Sequence, residues 1–209
     1  MSAPARPSSV ALLERLVTAL KARGLVSEEE LAARQASTDR ASPEIGARMV
    51  ARAWLDAEWR RAMLQDGAAA AERLGVSMAG APPLGVLENT PRLHHLVVCT
   101  LCSCYPRAVL GYPPYWYKSF EYRSRAVREP RAVMAEWGTV LPPGVQVRVI
   151  DSTADYRWMV LPMRPAGTEG WTEDQLTEII TRDCLIGVAL PKPGVTSNVI
   201  VDTRPALHP

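Results

Sequence analysis

Three cysteines stand within six residues, in the run Val97-Val98-Cys99-Thr100-Leu101-Cys102-Ser103-Cys104-Tyr105-Pro106, and a fourth, Cys184, stands apart. Thiolates are nucleophiles, redox centres and metal ligands. Crowded cysteines in a chain with too few for a disulfide scaffold point to metal or redox chemistry in a reducing compartment. Buried structural cysteines are the plain alternative, but this density argues against it. A structural zinc site fits the donors better, with Cys184, His94 or His95 as fourth ligand. Against zinc, the single residue between Cys102 and Cys104 makes a poor tetrahedral corner. An iron–sulfur cluster would also need Cys184, which no motif accompanies.

Counting chelate rings suggests a different geometry. If one metal takes the Cys102 sulfur, the Ser103 and Cys104 backbone nitrogens and the Cys104 sulfur, the rings have six, five and five members, and the four donors can share a plane. Cys99, three residues earlier, reaches up as an axial ligand and leaves the opposite position open, as Lewis-acid catalysis requires. Both amides must then be deprotonated, which calls for a strong, highly charged Lewis acid. Low-spin trivalent cobalt or iron suits that role and zinc does not.

The elements that must position this loop fall into two textures. Residues 8–75 contain one proline, Pro43, and carry apolar residues at helical spacing. Val10, Leu13, Val17 and Leu20 line one face of a first helix that Gly24 stops. Ser27-Glu28-Glu29-Glu30 is a capping box opening a second. Ser42-Pro43-Glu44 opens a third, running through Ile45, Met49, Trp54 and Trp59 towards Leu64; Ala68–Leu74 is a further short helix ended by Gly75. Trp54 and Trp59 read as packing or interface residues. Ala81–Gly85 reads as a linker. His95–Val98 is a strand feeding Cys99, and Val145–Asp151 and Tyr156–Pro162 are half-buried strands. Tyr122–Trp137 is helical with a break at Pro130. Thr172–Gln175 is a capping box for a helix to about Arg182, Leu185–Leu190 reads as a last apolar strand, and a Pro/Gly-rich tail follows. The reading is an α+β chain: an N-terminal helical arm over 1–80, then a metal-binding catalytic core over 81–209.

The chain has 209 residues, with 24 Lys and Arg against 22 Asp and Glu, a formal net charge of +2. That balance argues against a nucleic-acid reader. No apolar run is long enough to span a membrane, and the N-terminal segment lacks the pattern of a secretory signal. A cytoplasmic protein is expected.

Cys99-Thr100-Leu101-Cys102-Ser103-Cys104 resembles the metal motif of the nitrile hydratase alpha subunit. The likeness extends through Glu88-Asn89-Thr90, Tyr105-Pro106, Trp116-Tyr117-Lys118, Tyr122-Arg123-Ser124-Arg125, Val127-Arg128-Glu129-Pro130-Arg131, Asp151-Ser152-Thr153 and Leu161-Pro162-Met163-Arg164-Pro165, to Gly167-Thr168-Glu169-Gly170-Trp171. Thr100 resembles the cobalt form, so Co(III) is the implied metal and Fe(III) the alternative. The resemblance implies a layered α/β/β/α core with mixed β-sheets. It implies metal ligation by Cys99, Cys102, Ser103 and Cys104, with Cys102 oxidised to sulfinic acid and Cys104 to sulfenic acid. Cys102 and Cys104 are then the catalytic residues, and the reaction hydrates a nitrile to its amide. The implied partners are one or two β-type subunits, without which the chain is inactive, and a cobalt-loading activator protein.

Arg107 stands where many cobalt enzymes carry Trp, and Arg182–Gly187 with Pro191–Gly194 resembles both the thiocyanate hydrolase gamma subunit and the metal-bearing subunits of three-part nitrile hydratases such as the toyocamycin enzyme. The rival, thiocyanate hydrolase, converts thiocyanate to carbonyl sulfide and ammonia. Arg107 is the candidate substrate-binding cation, or else an interface residue. His94, His95 and Cys184 read as structural, and Lys118, Arg123, Arg125 and Arg128 as an ion-pair network positioning the partner. A metal-bound assembly module without turnover is the non-enzyme alternative.

Overall fold

The computed structural model describes residues 8–194; 1–7 and the greater part of the Pro/Gly-rich tail, 195–209, lie outside it. By compactness the chain divides between Arg40 and Ala41. The first unit holds α1 (Ser9–Ala22) and α2 (Glu28–Arg40). Ser27 and Glu30 form the expected reciprocal cap, Ser27 N–H to Glu30 Oε2 at 2.7 Å and Glu30 N–H to Ser27 Oγ at 3.0 Å. No residue of α1 is buried, and Val10, Leu12, Leu13 and Leu16 are all exposed.

The second unit begins forty residues before the shift in composition, because α3 (Pro43–Leu55), α4 (Ala57–Gln65) and α5 (Gly67–Arg73) pack into the strand-bearing half. Small residues on α3 let it approach closely: a Cβ on Gly46 would meet Leu110 Cδ2 at 2.6 Å and Leu185 Cδ1 at 2.9 Å. The helix expected to run through Trp59 is two helices. Asp56 takes extended backbone (φ −124°, ψ 111°) and caps α4 by accepting from the Glu58 and Trp59 amides. Both tryptophans pack as expected: Trp59 Nε1 donates to Met49 O at 3.0 Å and Trp54 Nε1 to Pro162 O at 2.8 Å.

The strands are β1 (Leu84–Glu88), β2 (Leu93–Val98), β3 (Gln146–Asp151) and β4 (Arg157–Leu161). Among the described residues they form two parallel pairs, β1 with β4 and β2 with β3, so the ladders are parallel rather than mixed. β1 overlaps the expected linker; Gly85 is needed there because a Cβ would lie 2.3 Å from the Trp158 ring. β2 packs against β4. Around the strands lie α6 (Arg107–Leu110), α7 (Tyr115–Lys118), α8 (Phe120–Arg128), α9 (Pro130–Glu136), α10 (Glu173–Glu178) and α11 (Arg182–Ile186). α10 packs on α3, α8 on β2, α9 on β3, and α11 on β2, β4 and α3.

The expected strand at Leu185–Leu190 is instead the end of α11 and its exit. Thr181 caps that helix, and Gly187 ends it in the left-handed region at φ 90°. A short apolar run between buried layers suits either structure, and the cap decides. The Thr172–Gln175 capping box is present in full, and α8 and α9 meet at Glu129-Pro130. No described helix is long and apolar enough to cross a membrane.

Candidate metal centre

β2 is paired with β3 along its whole length, the last pair being Val98 with Asp151. The chain then leaves the ladder, and residues 99–106 form a loop without regular structure. That loop folds back so that the sulfurs of Cys99, Cys102 and Cys104 lie within 4.8 Å of one another. Cys99 Sγ is 3.4 Å from Cys102 Sγ, which is 3.2 Å from Cys104 Sγ. The Cys102 amide donates to Cys99 Sγ at 3.3 Å. Cys99 and Cys104 are buried and Cys102 is exposed.

The electrostatics distinguish the sulfurs. Hydrogen bonds from the Cys104 and Cys99 thiols hold the Cys102 thiol down at about 7, against an ordinary 9.0, and the backbone amides of Ser103 and Cys104 assist. Burial, joined by the contact with Cys102, pushes the Cys104 thiol up to about 12. Three sulfurs within 4.8 Å of one another are a donor set that fits a thiophilic metal ion.

An aromatic cluster supports the loop from behind. Tyr117 Oη donates to Cys104 O at 2.8 Å, and Tyr122 Oη donates to Val97 O at 2.7 Å. Edge contacts join Tyr105 to Tyr117 (5.0 Å between centroids) and Trp116 to Tyr122 (4.8 Å). Burial raises both the Tyr117 and Tyr122 phenols, so they remain protonated donors.

Residues 8–189 match the family described as nitrile hydratase, alpha chain. The chain belongs to that family. Among relatives of nitrile hydratase alpha type, it is 53% identical over 149 residues to the low-molecular-weight cobalt-containing nitrile hydratase subunit alpha of Rhodococcus rhodochrous, covering 71% of this chain and 72% of that one. It is 49% identical over 201 residues to the thiocyanate hydrolase subunit gamma of Thiobacillus thioparus, covering 89% and 83%. A crystal structure of a thiocyanate hydrolase mutant superposes with a TM-score of 0.86 at 45% identity, covering 98% of this chain and 100% of that one.

Within this nitrile hydratase alpha fold the other sequence candidates lie as follows. His94 and His95 tie β2 to Asn89, just past β1, and to Gly187 at the end of α11 instead of joining the sulfurs. His94 Nε2 donates to Gly187 O at 2.7 Å, and its Nδ1 accepts from Asn89 Nδ2 at 3.1 Å. Asn89 Oδ1 accepts from the His95 amide at 2.8 Å and from His95 Nδ1 at 3.1 Å. Burial lowers both imidazoles below the ordinary value, keeping them neutral. Cys184 is buried beside Thr181 Oγ1 at 3.2 Å, and burial pushes its thiol up to about 11. Arg107 opens α6 three residues past Cys104; it is exposed, with its guanidinium 5.7 Å from the centroid of the Tyr112 ring.

Of the expected ion-pair network, Arg125 pairs with Glu129 (2.7 Å), Glu136 (2.5 Å) and Glu121 (3.4 Å), tying α8 to α9. Arg123 turns to the cysteine loop, where Nη1 donates to Thr100 O at 3.3 Å. Asp151 accepts from the Thr100 amide at 3.0 Å and from its hydroxyl. Arg123 was expected in a network facing the partner rather than at the cysteine loop, and Asp151 carried no site role. The signal available there was that two parallel strands ending together bring their next residues side by side.

Proposed function

We propose that the chain is the metal-bearing alpha subunit of a cobalt nitrile hydratase, acting in the cytoplasm as a heteromer with one or two β-type subunits. The observation that carries this reading is the convergence of the Cys99, Cys102 and Cys104 sulfurs in one short loop. Cys99, Cys102 and Cys104, with the Ser103 and Cys104 nitrogens, would hold the ion. When bound, a trivalent cobalt supplies Lewis acidity towards a C≡N group or water. Cys102 and Cys104 carry oxygens as sulfinate and sulfenate, placed on the oxidation ladder by the family resemblance.

The Cys104 sulfenate oxygen serves either as the base that takes a proton from the water adding to the nitrile carbon, or as the nucleophile that adds to that carbon itself and is regenerated by water. In both routes the nitrile nitrogen gains a proton and tautomerisation leaves the amide. Tyr117, donating to the Cys104 carbonyl, fixes the backbone that carries this group. Leu101, Tyr112, Tyr115 and Phe120 stand exposed on and after the loop, an apolar rim of the sort a partner subunit covers. An activator protein delivers the cobalt.

A second reading, the gamma subunit of a thiocyanate hydrolase, is favoured by Arg107, a cation suited to an anionic substrate. The 89% coverage of this chain by the Thiobacillus relative also supports it. The test is metal analysis and mass spectrometry of the complex made with its neighbouring subunits, followed by assays on nitriles and on thiocyanate. Cobalt with two oxygens on Cys102 and one on Cys104 supports the proposal, and Cys99→Ser abolishes the metal. Zinc with three unmodified thiols sinks it. Turnover of thiocyanate but not nitriles selects the second reading.

A further inference from the structure

We propose that Asp151 and Arg123 are positioning residues that grip Thr100 and hold the cysteine loop in its metal-ready shape, so that this grip sets how readily the loop takes up its ion. The proposal rests on the metal-centre reading above.

Cys99 is buried at the base of the loop, but Thr100, Leu101 and Cys102 after it are exposed. Beyond Val98 no strand partner follows, since the last bond there is the Ser152 amide to Val98 O at 2.7 Å. Leu101 is 89% exposed, so no packing fixes the tip. Thr100 is held by all three of its polar groups. Its amide and hydroxyl both donate to the Asp151 carboxylate, one to each oxygen, and its carbonyl accepts from Arg123. Two donors on one carboxylate fix the rotation of the residue as well as its position.

The grip is itself anchored. Asp151 is the final residue of β3, in register with Val98. Arg123 donates from Nε to Ser119 O at 3.3 Å, and its guanidinium lies 6.0 Å from the centroid of the Phe120 ring. Thr100 is therefore pinned between the end of a strand and α8. On the far side Tyr117 pins Cys104, so the sulfurs lie between two fixed points.

Such pre-organisation matters because the sulfurs stand 3.2–3.4 Å apart only in the folded-back loop. A loop free to relax would separate them, and ordering it again would weaken binding of any ion that bridges them.

The test uses the full chain, metal-free and reduced, with two probes: cobalt(II), followed by its thiolate charge-transfer absorption, and arsenite, which bridges neighbouring thiols without needing the amide donors. Thr100→Val and Asp151→Asn are expected to weaken binding of both probes about tenfold, and Arg123→Gln severalfold. Thr100→Ser, which restores the hydroxyl, is expected to bind within about twofold of the native chain. Thr100 is exposed, so the Val and Ser variants fold and decide the matter even where Asp151→Asn does not. Native-like binding by Thr100→Val, or equal loss in the Val and Ser variants, overturns the proposal. If the native chain binds arsenite but no cobalt, the cobalt reading fails while the arsenite series still judges the grip. If it binds neither, both fail.

Discussion

Replacing Gly187 by alanine tests whether the end of α11 braces the strand that leads into the cysteine loop. Gly187 sits at φ 90°, and a Cβ there would lie 2.0 Å from His95 O, a backbone atom of β2. The left-handed conformation costs an alanine about 1–2 kcal/mol. The collision adds about 1–3 kcal/mol, the usual range for overpacking a filled interior. His95 cannot retreat freely: it is in register with Arg148 in the β2–β3 ladder, and its neighbour His94 donates to Gly187 O. A total of about 3 kcal/mol corresponds to a fall in Tm of about 6–12 °C for a chain of this size. Thermal melting of three variants separates the contributions. Gly144→Ala meets nothing within 4 Å and has no positive φ, so it is expected to be neutral. Gly167→Ala, at φ 78° with nothing nearby, bears the backbone cost alone. Gly187→Ala bears both, and its cobalt content falls as well. Equal melting temperatures for the Gly167 and Gly187 variants would refute the close approach as a determinant.

Three further outcomes follow from the site. In the metal-free chain Cys102 alkylates ahead of Cys99 and Cys104, its rate rising through pH 7 as the thiolate forms; peptide mapping after iodoacetamide checks this, and earlier labelling of Cys104 contradicts it. Because burial lowers the folded-state pKa of His94 and His95, the unfolded chain binds protons that the folded chain refuses. Stability is therefore intact above about pH 6.5 and falls as pH drops below it, and urea midpoints from pH 5 to 8 show a smaller slope in a His94→Gln variant. Arg107→Ala in the assembled complex lowers kcat/KM for thiocyanate by tenfold or more and leaves a neutral nitrile unaffected if the guanidinium meets substrate; an equal effect on both assigns Arg107 to the interface.

What the sequence disclosed was mostly local. Caps such as Ser27 with Glu30 and Thr172 with Gln175 act over three residues, and the cysteine spacing acts over six, so both are legible in a linear reading. β1 was hidden because Ala81-Pro82-Pro83 looks like a linker, and only Trp158, far along the chain, explains why Gly85 lies in a strand. The same distance hid Asp151: its partner Thr100 is 51 positions away, and an aspartate at a strand end looks ordinary until the parallel register is known. Arg123 belonged to a basic run whose members serve separate tasks, Arg125 bridging helices and Arg123 reaching the loop. The extension of compact structure back to residue 41 follows from buried Ala and Gly on α3, residue types that carry little hydrophobic signal of their own.

The parallel pairing of β2 with β3 also has a meaning in time. During synthesis Thr100 emerges 51 residues before Asp151, and a parallel partner cannot arrive by a tight hairpin. Through that interval the nascent chain carries Cys99, Cys102 and Cys104 on an unbraced segment, open to stray oxidants and to whichever thiophilic ion arrives first. The braced loop becomes available only when the distant strand has closed beside it, so selective uptake of a metal by this loop would belong to the finished chain rather than to the growing one.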